Sequence, residues 1–529
     1  MSQRIFILPL ILLFIAVTAC DLSSSAPPIP TPTENPGGPT FAPIVTVTPI
    51  GLVTTSTATA CAEQPLLAAV RYDLDTDVNM DTHSLITILK ATYRNETDQP
   101  LPQIVFNIEP NRKPDVFMLT HVDSTAAIQR YTLNGPRLEI NLKTPLPVGC
   151  EATFTLAFTL HPSQITQSYI GNTGYFGYTE RQFNLGEWLP EFAPLIKGVW
   201  QTPKVWAIGE YTVSALSDFT ATVKVIGKDA AKFDVVGPGE VEHPHADTWH
   251  FKMSSARTFT LSISAALTRL DAHSDVGVNI EFYYFTLDKS AGTPVVPVGA
   301  KHALETARTA LNTFTPIYGP LPYKRLVIIE GDFPDGMEFS GMVFVSQHWF
   351  SLYTGSPDAW LTLITAHEIL HQWWYSLVGS DQGAAPFLDE GLALYSEVVY
   401  MQAQYPTLVP WWWNFRVKSY VPQGYVDSGV YDFQNLRLYI NAVYLRGALM
   451  LQEIRESIGD EAFFQWLRTY RTGQAGKIAT VVDLWQAMSP GDYTKTAAIR
   501  AKYLRLPDPL HLASATAAPT AASTEACCG

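Results

Sequence analysis

His367-Glu368-Ile369-Leu370-His371, followed by Asp389-Glu390-Gly391, is the stretch on which the reading of this chain turns. The residues leading into it, 357–366, carry no helix breaker after Pro357, which predicts a helix. Positions i and i+4 of a helix share one face, so His367 and His371 can offer their imidazoles to one metal ion. Glu368 can reach a water on the same ion. A catalytic zinc centre has three protein ligands and one open position. Glu390, nineteen positions after His371 in a second stretch of helical spacing, is the candidate third ligand. The competing reading is a buried helix whose histidines are satisfied by core hydrogen bonds.

The chain has 529 residues, 47% hydrophobic and 16% charged, with a net charge of −14. That composition is globular and allows two or three domains. The acidic balance excludes a nucleic-acid binder, which needs a basic footprint. At the N-terminus Arg4 precedes the apolar run 5–17 and Thr18-Ala19-Cys20. This is the layout of a secretory signal peptide, 1–19. The ending Val17-Thr18-Ala19-Cys20 resembles a bacterial lipobox. It leads us to expect an exported protein held on the outer side of a membrane through a lipidated Cys20. An uncleaved anchor is the alternative, although the run is short for a full span. Cys61 and Cys150 can pair in an exported protein or remain free thiols. Cys527 and Cys528 lie in the terminal segment.

Residues 20–64 read as the lipidation site and a Ser/Pro/Thr-rich linker. Residues 65–275 read as strands: 85–93, 103–108, 138–142, 152–160, 211–225, 248–253 and 259–266, parted by turn residues. They predict an all-β domain of sandwich or saddle type. From 276 to 510 the pattern becomes α+β: strands at 278–284, 325–329 and 342–345 (the last at a sheet edge), a helix at 298–314, then helices after Pro357. Residues 511–529 read as a disordered tail. The fold class expected is therefore multidomain α and β, a β-rich N-terminal domain followed by a thermolysin-like α+β catalytic domain.

The HExxH motif, the Glu390 spacing and Asp389-Glu390-Gly391-Leu392-Ala393 resemble the aminopeptidase N family of gluzincin zinc metallopeptidases. Gly336-Met337-Glu338-Phe339 resembles that family's Gly-x-Met-Glu-Asn motif, with Asp335 and Phe339 in place of its usual Gly and Asn. Tyr444-Leu445-Arg446-Gly447-Ala448 resembles its Tyr-x-Lys-Gly-Ala segment, and 459–463 a downstream helix start. The resemblance covers 65–505 and is strongest over 331–450. It leads us to expect a form without the large C-terminal helical domain. It implies one zinc ion on His367, His371 and Glu390, Glu368 as general base, and Tyr444 as hydrogen-bond donor to the oxyanion. It also implies Glu338, with Gly336 and Met337, as the anchor for a substrate α-amino group. Peptides are the implied substrates. Glu397, seven residues after Glu390, is expected behind a zinc ligand or as a surface carboxylate.

Several residues carry a second, plainer reading. Tyr439 competes with Tyr444. Glu180 or Gln182 can add an amine contact from the β domain. Trp411-Trp412-Trp413 reads as packing. His243, His245 and His250 lack a partner pattern for a second metal, and Asn95-Glu96-Thr97 is a sequon by pattern alone. An endopeptidase or narrow hydrolase on the same site, and a non-catalytic module keeping the fold, remain alternatives. Oligomeric state is not legible.

Overall fold

A computed structural model describes residues 68–165, 175–286 and 296–510. The signal-peptide, Cys20, linker and tail readings, and Cys61, lie outside the described residues. Cys150 is disulfide-bonded.

The β region is a sandwich built on strict alternation. In Val70–Asn79 the residues Val70, Tyr72, Leu74, Thr76 and Val78 point inward, while Arg71, Asp73, Asp75 and Asp77 face outward. Period-2 burial of this kind is what a half-covered strand requires. The next strand, Ser84–Arg94, pairs antiparallel to it. There the pattern misleads. Thr87 is buried and bonds Thr76 across the ladder at 3.0 Å, whereas Ile86 and Ile88 are exposed. The seven-stranded sheet runs, edge to edge, Glu240–His245, Thr248–Ala256, Ser217–Ile226, Val70–Asn79, Ser84–Arg94, Glu151–Leu160 and Phe117–Ser124. A four-stranded sheet supplies Phe106 and Phe192, which meet each other at 4.3 Å and Phe154 of the large sheet at about 6 Å. The expected run 211–225 divides: only Ser217–Ile226 is strand, and residues 207–210 and 212–214 instead line cavities.

The α+β region carries a five-stranded sheet in the order Leu267–His273, Asn279–Phe285, Arg325–Gly331, Met342–Ser346, Gly336–Met337. Two details differ from the sequence reading. Leu267–His273, on the near side of residue 275, pairs across that position with Asn279–Phe285. Met342–Ser346 is not an edge strand, because the short strand Gly336–Met337 pairs antiparallel outside it. Helix Val298–Tyr318 packs on helix Trp360–Leu370, with His302 Nε2 2.7 Å from Thr362 Oγ1. Residues 361–370 are buried throughout, so this helix runs through the core. Among the described residues no helix is long and apolar enough to cross a membrane.

The α-helical bonding stops at His371, where the backbone turns irregular at Trp374 and Tyr375. Arg257, from the β sandwich, supports this turn from below. It is fully buried and donates Nε to Tyr375 O at 2.6 Å, Nη1 to Ser214 O at 2.8 Å, and Nη2 to Leu377 O at 3.3 Å and Lys477 O at 2.8 Å. Burial lowers its pKa to about 10. A Cβ at Gly379 would lie 2.2 Å from its Cζ, which is why a glycine stands there.

Two predictions follow from this junction. Arg257→Met orphans several buried carbonyls, so urea unfolding should show a loss of roughly 3 kcal/mol or more. Nearby, burial pushes the carboxyls of Glu187 and Glu191 up to about 8, with Glu109 adding to the first and Glu187 to the second. A carboxyl raised in the folded state binds its proton more tightly there than in the unfolded chain. The stability it contributes is complete below the unfolded pKa and is lost as pH rises through about 8. Unfolding free energy should therefore fall between pH 5 and 8, and Glu187→Gln with Glu191→Gln should flatten that slope.

Candidate active site

His367 lies in the last turn of helix Trp360–Leu370 and His371 caps it, which places their ring centroids 4.8 Å apart. Glu390 opens the next helix, Glu390–Gln404. Its Oε2 lies 3.3 Å from His367 Nε2 and 3.6 Å from His371 Nε2. One ligand atom from each of the three residues falls within 4.8 Å of the others, and all three residues are buried.

The opposite ring nitrogens are already engaged. His367 Nδ1 is 3.0 Å from Glu397 Oε1, and His371 Nδ1 is 2.5 Å from Asp389 Oδ1. These carboxylates hold the Nδ1 side of each ring and turn both Nε2 atoms toward the place a cation would take. Glu397 is itself held by Trp412 Nε1 at 3.0 Å and by a two-pronged Arg416 at 2.9 and 3.1 Å. So Glu397 is buried behind the metal ligands, Trp412 is a hydrogen-bond donor as well as packing, and Trp411 stacks on Phe415.

Glu368 projects into the same cavity, and its Oε2 is buried without a hydrogen-bond partner. Gly336 packs directly against this carboxylate: a Cβ there would sit 2.1 Å from Oε1. Burial raises the Glu368 pKa to about 8, against the pull of His367 and His371. Glu390 goes the other way; burial opposes ionisation, but the two histidines bring its carboxyl down to about 2. For His367, burial works against the proton, yet Glu390 and Glu397 lift its pKa well above the ordinary value. Two imidazoles, an ionised carboxylate and an orphaned carboxylate oxygen form a donor set that fits one zinc ion.

The cavity has a volume of about 210 Å³ and is also lined by Tyr175, Glu210, Asp335, Glu338, Arg416, Tyr439 and Tyr444. Tyr444 lies with its ring parallel to that of His367, 6.3 Å between centroids, and bonds Glu390. Tyr439 is more deeply set, edge-on to Tyr444 at 5.5 Å and close against Gly209. Glu338 is buried, and burial followed by the charge of Glu210 holds its carboxyl well above the usual range. Met337 is buried in the small cluster around Phe344, away from the cavity lining.

The β-domain contact falls elsewhere than on the residues considered. Glu180 is exposed, and Gln182 clamps the Glu330–Asp332 backbone, receiving Asp332 N at 2.9 Å. Glu210 is the β-domain carboxylate that faces the metal ligands. The sequence reading included Asp389 in its motif without giving it a role, and passed over Arg416 and Gln382. For Arg416 a signal existed: Trp412 and Arg416 stand four apart, so one helical face presents both to Glu397. Glu210 gave no such signal, since it sits in an irregular stretch without periodicity.

Residues 302–502 match the peptidase family M1 domain. Human endoplasmic reticulum aminopeptidase 2 is 25% identical over 185 residues, 33% of this chain and 19% of that protein. Aminopeptidase N of Lactococcus lactis subsp. lactis is 27% identical over 145 residues, 24% of this chain and 16% of its own. The match thus spans less than a fifth of either relative. The crystal structure of the M1 zinc metallopeptidase from Deinococcus radiodurans superposes with a TM-score of 0.59 at 18% identity, over 81% of this chain and 92% of that one. A mutant of that enzyme bound to the substrate Tyr-Ser-Ala aligns equally well, over 81% and 93%. The chain has the M1 gluzincin zinc-metallopeptidase fold, with His367, His371 and Glu390 clustered at its metal site.

Proposed function

We propose that this protein is a zinc-dependent metallopeptidase of aminopeptidase type, hydrolysing the N-terminal bond of peptides outside the cytoplasm. The observation that carries the reading is the convergence of His367, His371, Glu390, Glu368 and Glu338 on one cavity. When bound, zinc supplies Lewis acidity, which lowers the pKa of a water and polarises a carbonyl. Glu368 stands where it can take the water's proton and return it to the leaving amine. Its unpartnered Oε2 leaves that oxygen free for the exchange. The Tyr444 hydroxyl donates to the oxygen on which negative charge develops. Glu397 and Asp389 keep the histidine rings from rotating.

Glu338 favours the exopeptidase reading. Its carboxylate and that of Glu210 line one cavity, and a substrate α-ammonium would relieve the repulsion between them. Phe339 does not enter that cavity: it is fully buried among Tyr175 and Phe344. Its substitution in the motif therefore leaves the anchor open.

The N-terminal sequence supports the further reading of a lipoprotein tethered through Cys20. In that case Cys20→Ala should move the protein from the membrane fraction to the soluble exported fraction on immunoblots; retention in the membrane would sink it.

The peptidase reading is tested with the zinc-loaded protein, one peptide in free-amine and N-acetylated forms, and product mapping by mass spectrometry. Stepwise loss of N-terminal residues from the free-amine form alone is expected. Glu368→Gln should lower kcat at least a hundredfold while zinc stays bound, the scale of losing a general base. Internal cuts in both forms would make the protein an endopeptidase. Zinc binding with cleavage of neither would point to a narrow substrate or to a non-catalytic module.

A further inference from the structure

Gln382 is 3% exposed and lies in the loop between the irregular turn after His371 and helix Glu390–Gln404. A primary amide offers two N–H donors and one carbonyl acceptor. Here Nε2 donates to Glu338 Oε1 at 3.2 Å and to Asp389 Oδ2 at 2.9 Å, and Oε1 accepts from Thr212 Oγ1 at 2.7 Å. The Gln382 backbone N–H also donates to Thr212 O at 3.3 Å. The amide can sit only this way round. Exchanging its O and N would take both donors away from these two carboxyl groups and turn them toward Thr212 instead. The other oxygen of Asp389 receives His371 Nδ1. Ligand atoms of Glu338, His371 and Asp389 all lie within 4.8 Å of one another.

We propose that Gln382 is a positioning residue that ties the Glu338 carboxylate to the Asp389–His371 pair. It thereby sets the distance between the substrate's α-amino group and the metal. Thr212, from the β domain, fixes the amide's orientation, so the β domain takes part in that setting. The substrate half of this inference rests on the aminopeptidase reading; the metal half does not. Without the amide, the Glu338 and Asp389 carboxyl groups lose the bridge that holds them at a fixed distance. The two are then free to move apart, and His371 turns with Asp389.

The test uses full-length protein with Gln382→Met, similar in shape but without donors, and Thr212→Val, which keeps the amide and frees its orientation. Zinc affinity is read by chelator competition. KM and kcat are read on the free-amine peptide. For Gln382→Met we expect zinc affinity about tenfold weaker, as for other partners behind a metal ligand, and KM raised by a similar factor. kcat should change less than KM. Thr212→Val should move both quantities the same way by a smaller factor. A merely structural role would lower the active fraction, and with it kcat, leaving KM and zinc affinity where they were; that result overturns the proposal. A change in only one of the two quantities overturns the coupling. If Gln382→Met fails to fold, Thr212→Val carries the same readings. If the wild type cleaves no peptide, the function reading fails by itself, and the zinc titration still decides whether Gln382 acts on His371.

Discussion

The arrangement of this molecule depends on two hydrogen bonds made on the far side of the metal site, His367 Nδ1 to Glu397 and His371 Nδ1 to Asp389. Which nitrogen of an imidazole binds a cation, and how the ring is aimed, is set by the hydrogen bond the other nitrogen makes. Here the holders are buried carboxylates, whose burial is costly unless each is paired or hydrogen-bonded. Glu397 is matched by Arg416 and Trp412. Asp389 has Gln382 in addition to His371. Satisfying these groups requires donors from three separate segments, 367–371, the loop at Gln382, and 412–416, so much of the catalytic region is organised around them.

The β sandwich is part of the same arrangement. Arg257 caps the carbonyls of the turn that follows His371. Thr212 reaches Gln382, and Tyr175 donates to Gly336 O at 2.9 Å beside the cavity. On the sheet edge, Gly336 must lack a side chain for the strand to approach Glu368. The cavity is therefore formed at the contact of two regions, each of which contributes carboxylates to it: Glu210 from one, Glu338, Glu368 and Glu390 from the other.

The helix at 360–370 was legible from an unbroken run after Pro357, whereas around Glu390 only the helical spacing was legible and the bounds 390–404 were not. The strands of the sandwich were legible by alternation, but their facing was not always so. Ile86 and Ile88 satisfy the same β-branched pattern as Thr87, and only the pairing of Thr87 with Thr76 decides which side is inward. The edge position of Met342–Ser346 was misread for a related reason. A two-residue strand such as Gly336–Met337 has no periodicity to detect, and it exists only because a neighbour offers it a ladder.

The sequence by itself determined the metal donors, because the i, i+4 spacing of His367 and His371 and the helical spacing around Glu390 are local properties of a helical backbone. It also determined the position of Glu368 relative to them. Tertiary structure alone decided which groups stand behind those donors and which share their cavity. Glu210, Asp389 and Gln382 act through contacts between segments distant in the chain or through a buried rotamer, and residue spacing encodes neither; for Arg416 spacing gave the shared face with Trp412 but not the partner. Glu397 shows the division in one residue. Its place on the ligand-bearing face was set by helical geometry, but its burial was set by Arg416 and Trp412, which only packing brings to it.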